Sequence, residues 1–87
     1  MSERSEIEIA IRLEGEGFAT HDELELRDVV EDWIKQQNLG EIVDAGSGLG
    51  FMNLAVEVGD APAALALLES YITQLGIRDR TTLNIAI

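Results

Sequence analysis

Apolar residues fall on every second position at Ile7, Ile9, Ile11 and Leu13, with Glu6, Glu8, Ala10, Arg12 and Glu14 between them. A period of two marks a strand with one buried face, and it predicts a first strand over about residues 5–14. The period then lengthens. Leu26, Val29, Val30, Trp33 and Ile34 recur at helical spacing, with Glu25, Asp28, Glu31, Asp32 and Lys35 opposite, which predicts a helix over about residues 21–38. Thr20 can cap its start while Glu23 reaches back to the cap amide, and the acids Asp22 and Glu23 suit the positive helix end. Gly40 is expected as its left-handed stop.

A second strand is expected over about residues 41–46, with Gly46-Ser47-Gly48-Leu49-Gly50 as a turn. Met52, Leu54, Val56 and Val58 then alternate with Phe51, Asn53, Ala55 and Glu57, so a third strand over 51–58 completes a hairpin. Asp60-Ala61-Pro62 opens a second helix over about 61–75: Asp60 is the expected cap, and proline is harmless in a first turn, where N–H groups lack helical partners. Its core stripe reads Leu65, Leu68, Ile72 and Leu75, with Ala61 and Ala64 permitting close approach to a sheet and Gly76 ending it. Thr82, Asn84 and Ala86 finally alternate with Leu83, Ile85 and Ile87 in a strand over about 81–87. The order β-α-β-β-α-β predicts a single α+β domain over residues 1–87 with a ferredoxin-like (split βαβ) arrangement. In it, right-handed crossovers place two helices on one face of a four-stranded antiparallel sheet of order 4-1-3-2.

Length and charge narrow the function. A chain of 87 residues buries only about 60% of its unfolded surface and is shorter than the roughly 150 to 250 residues of most nucleotide-binding or barrel enzymes, so a non-enzymatic role is expected. Seventeen Asp and Glu against six Lys and Arg give a net charge of −11, which repels phosphate backbones and anionic lipids. No nucleic-acid or membrane partner is therefore expected. Hydrophobic residues still make up 46% of the chain, enough to build a core. Cysteine is absent, which excludes disulfides, thiolate metal sites and cysteine nucleophiles. The acidic start Met1-Ser2-Glu3-Arg4-Ser5-Glu6 and the absence of an apolar run of roughly 18 residues lead to a cytoplasmic expectation. Residues 1–44 hold thirteen acids and four bases, net −9, whereas residues 45–87 hold four acids and two bases, net −2.

Few residues suggest chemistry. Ile42-Val43-Asp44-Ala45-Gly46-Ser47-Gly48-Leu49-Gly50-Phe51 resembles the first motif of S-adenosylmethionine-dependent methyltransferases. That motif needs a helix directly after its glycines, whereas residues 51–58 alternate as a strand, so a glycine-rich hairpin turn is the reading carried forward. No Lys-Ser or Lys-Thr follows the glycines, which excludes a Walker loop. His21 stands alone beside Asp22, and the pairs Glu6 with Glu8 and Glu14 with Glu16 lack calcium-loop spacing. Catalytic residues, metal ligands and cofactors are all expected to be none. RNA-recognition domains share the topology but stack bases on aromatic residues of the central strands, where this chain offers Phe51 alone.

Protein partners remain. The outward acids of the first helix, Glu25, Asp28, Glu31 and Asp32, are expected to meet a basic protein partner. Self-association is the other expectation: the last strand carries no charge or proline to protect its edge, which singles out Ile85 and Ile87. Ala55 on a flat outer sheet face and Leu67 on the second helix join them, although Leu67 and Tyr71 can instead pack against the first helix.

The layout also resembles a group of small bacterial proteins of unassigned function. The resemblance is carried by Arg27-Asp28-Val29-Val30-Glu31-Asp32, by Gly40-Glu41-Ile42-Val43-Asp44-Ala45-Gly46-Ser47-Gly48-Leu49-Gly50, by Met52-Asn53-Leu54 and by a helix opened by Asp60. It spans about residues 7–75 and implies the fold more than any activity. Small acidic proteins of this type include immunity proteins and other inhibitors that neutralise a basic toxin, an analogy with no motif behind it. The alternative is an ACT-like dimer that senses a small molecule near the loop after the first strand, which Gly15 and Gly17 would suit.

Overall fold

Alternation in the first strand sends Ile7, Ile9 and Ile11 to one side, and all three are fully buried. The computed structural model describes residues 4–13, 21–48 and 50–86. Its elements are β1 (Ser5–Arg12), α1 (His21–Gln36), β2 (Glu41–Gly48), β3 (Phe51–Val58), α2 (Ala61–Gln74), a 3-10 turn (Arg78–Arg80) and β4 (Thr81–Ala86). The four strands form one antiparallel sheet in the order β2-β3-β1-β4, which is the expected 4-1-3-2 read from the opposite edge. β1 is flanked on both sides, with Ile7 facing Val56 and Ile85, and Ile9 facing Leu54 and Leu83. Those apolar rows make one continuous face. Val30 and Ile34 of α1 and Ala61, Ala64, Leu68 and Ile72 of α2 join the same core cluster, so both helices cover that face. The arrangement is consistent with a ferredoxin-like fold. Burying each large aliphatic side chain contributes about 1.5–3 kcal/mol, and such residues carry the fold in a chain without disulfides.

Helix α2 starts as expected. Asp60 lies in extended conformation and its Oδ1 accepts the Ala63 N–H at 3.2 Å, with Pro62 in the first turn. Gly76 follows the helix at φ 78°, a left-handed exit that a side chain would strain.

Several expectations are corrected. α1 ends at Gln36, and the left-handed residue after it is Asn38 (φ 52°), with the Leu39 N–H bonded back to the Ile34 carbonyl at 3.1 Å. Gly40 serves a different purpose: a Cβ there would collide with the Glu57 carbonyl oxygen and stand 2.7 Å from Val58 Cγ1. Strand β2 continues past Gly46 to Gly48, because its backbone pairs Gly46 with Asn53 and Gly48 with Phe51. Gly50, immediately before β3, takes φ 85°. A register shift between Ile42 and Asp44 leaves Val43 in an exposed bulge. β1 stops at Arg12, where Leu13 is buried and its N–H bonds the Gly50 carbonyl at 2.8 Å. Val29, expected in the core stripe of α1, is 44% exposed, whereas Leu65 and Leu75 of α2 are half-buried and pack against the core cluster. Thr20, Glu14 and Glu16 lie outside the described residues.

Candidate functional site

With 3.6 residues per turn, Asp22, Glu25, Asp28 and Asp32 of α1 fall on one side of the helix, and all four are exposed. The remaining acids of α1 turn inward. Glu23 is buried, and its Oε2 meets Arg80 Nη2 at 3.2 Å. Arg80 also donates from Nε and Nη2 to the Arg12 carbonyl, at 3.0 and 2.8 Å, so one guanidinium joins the start of α1, the end of β1 and the 3-10 turn. Glu31, expected on the partner surface, is instead half-buried, because Arg27 one turn earlier draws it in, with Nε 4.0 Å from Glu31 Oε1. Arg27 Nη1 donates to the Gly46 carbonyl at 2.9 Å, tying α1 to the far end of β2. His21 Nε2 lies 3.0 Å from Glu25 Oε1 at an exposed helix start. The outward acidic stripe is therefore Asp22, Glu25, Asp28 and Asp32.

Beside that stripe the two helices meet through aromatic rings. Trp33 of α1 and Tyr71 of α2 stack with centroids 4.3 Å apart and planes within 4°. Tyr71 thus packs against α1, whereas Leu67 stays 50% exposed. Val29, Asp32, Trp33, Gln36 and Tyr71 wall a crevice of about 230 Å³ between the helices. The sequence pattern places Trp33 in the apolar stripe of α1 and lets Tyr71 pack against α1, but it does not pair the two rings.

The outer sheet face is different in kind. A depression of about 320 Å³ lies over Ala10 and Ala55, bordered by Glu6, Glu8, Asp44, Asn53 and Asn84. It offers acids and amides without an aromatic wall, and among the described residues no group of three acids or histidines is placed to hold a metal ion. The glycines of residues 46–50 run straight into antiparallel β3, as a hairpin does, with no helix opening after them.

The proposed self-association residues divide between the two sides of the sheet. Ala55 pairs with Glu8 and faces outward, while Ile85 pairs with buried Ile7 and so points to the helix side, and Leu67 lies on α2. The two-residue period of the strands is what separates Ala55 from Ile85. Ile87, Gly15 and Gly17 lie outside the described residues. Among the described residues no helix is long and apolar enough to cross a membrane. Comparison with family models, curated proteins and solved structures returns no match to the chain.

Proposed function

We propose that this chain is a non-enzymatic, immunity-protein-like binding protein whose acidic α1 surface engages a basic protein partner. The observation that carries this reading is the stripe Asp22, Glu25, Asp28 and Asp32, of which Asp22, Asp28 and Asp32 have no ion-pair partner among the described residues. Ten helical residues extend about 15 Å, roughly two Debye lengths at physiological salt, so the stripe acts as a line of charge and not as a single point. Each exposed ion pair contributes only about 0.2–1 kcal/mol, and the larger effect of such a line is faster encounter and rejection of acidic surfaces.

The test compares two variants with the same loss of charge, Glu25→Gln/Asp28→Asn/Asp32→Asn on α1 and Glu6→Gln/Glu8→Gln/Asp44→Asn on the sheet, as baits for extracts of the native host. The reading expects basic proteins, released as salt rises, on the wild type and on the sheet variant, with their loss from the α1 variant. Equal retention by both variants overturns it.

A bare edge favours a second reading, self-association. Thr81–Ala86 carries no charged residue, whereas the opposite edge, β2, is guarded by Glu41, Asp44 and a bulge. Sedimentation equilibrium expects a dimer that Ile85→Lys dissociates; a monomer at high concentration removes this reading.

A further inference from the structure

We infer that the crevice between α1 and α2 seats an arginine side chain of the basic partner. This inference rests on the reading of α1 as the partner surface and assigns the residue chemistry that its neighbour accepts. Asp32 belongs both to the acidic stripe and to the crevice wall, so a carboxylate stands in the same wall as the Trp33–Tyr71 pair, whose rings are stacked on each other and present the crevice with one aromatic unit. A guanidinium is planar and weakly hydrated, stacks on aromatic faces and pairs with a carboxylate through a rigid fork of donors; an ammonium does these less well. Gln36, one turn beyond Asp32, adds an amide oxygen at the negative end of α1, where cations are favoured. Val29, 44% exposed, offers apolar surface for the methylene stem of the arginine.

Size decides between a side chain and a cofactor. The crevice of about 230 Å³ falls below the roughly 300–1,000 Å³ of sites for whole small molecules, so it suits one long side chain. The depression on the sheet has acids but no rings, and it lacks the feature that separates arginine from lysine. Aromatic residues beside a charged rim are also where binding energy concentrates in protein interfaces, with arginine among the enriched anchors.

Trp33 is the one tryptophan of the chain, so its emission reports this crevice directly. The experiment titrates the full chain with hexaarginine and with hexalysine at low salt and follows that emission. Hexaarginine is expected to bind about fivefold more tightly than hexalysine and to change the Trp33 signal. Asp32→Asn is expected to weaken hexaarginine about fivefold. Asp22→Asn, with the same charge change at the other end of the stripe, is expected to weaken it less than about twofold. Tyr71→Leu is expected to abolish the preference for arginine. Equal affinity for the two peptides, with Asp32→Asn indistinguishable from Asp22→Asn, overturns the arginine seat while leaving the acidic surface in place. Failure of both peptides to bind overturns both.

Discussion

Replacing Gly40 by alanine separates two opposed effects of adding a methyl group. At a backbone position any residue can adopt, Gly→Ala stabilises by about 0.4–1 kcal/mol, because the unfolded chain loses freedom. Gly40 is not among the positive-φ residues, so backbone strain does not enter. Its added Cβ would collide with the Glu57 carbonyl oxygen and stand 2.7 Å from Val58 Cγ1 and 3.0 Å from Val56 Cγ1. The carbonyl belongs to a strand paired on both sides and cannot swing away as a flexible side chain would. Overpacking of this kind costs about 1–3 kcal/mol, which exceeds the entropic gain, so the expected net loss is about 1–2 kcal/mol. For 87 residues this lowers Tm by about 5–12 °C. Gly59→Ala is the control, since nothing lies within 4 Å of its added Cβ and its φ is not positive. Urea unfolding followed by Trp33 fluorescence should show the Gly40→Ala midpoint falling while Gly59→Ala holds or rises. Midpoints within experimental error of each other would refute the claim that α1 is followed by a glycine for steric reasons.

Two further substitutions test the joints of the fold. Asp60→Ala removes the side-chain acceptor of the Ala63 N–H and should lower stability by about 1 kcal/mol in chemical denaturation, with Asp60→Asn losing less. Arg80→Met removes the guanidinium that faces the buried Glu23 carboxylate and holds the Arg12 carbonyl, so a loss of about 3 kcal/mol is expected. Adding Glu23→Gln to Arg80→Met should recover part of that loss, because the neutral amide carries no charge to bury.

The sequence reveals those parts of the fold that depend on local chemistry. Ile7, Ile9 and Ile11 declare β1 by alternation alone, and Asp60 with Pro62 declares the start of α2 within four residues. Strand β2 is harder to read because Asp44-Ala45-Gly46-Ser47-Gly48 has weak strand propensity and stays largely exposed; its backbone is extended by pairing with β3. The function of Gly40 depends on Glu57 and Val58, which are distant in sequence, so a helix-stop reading misassigned it. The same limit applies to the candidate surface. The spacing of Glu25, Asp28 and Asp32 shows that they face outward, but whether Glu31 and Glu23 do depends on Arg27 and Arg80, and Arg80 is 57 residues from Glu23. The Trp33–Tyr71 stack likewise joins two helices whose relative placement only the folded sheet determines.

The most direct test of the binding surface is an amide chemical-shift titration of the isotopically labelled chain with hexaarginine. The account predicts the largest shifts at Asp28 through Gln36 and at Tyr71, diminishing as salt is added. Largest shifts at Glu6, Glu8 and Asp44, with α1 unmoved, would contradict it.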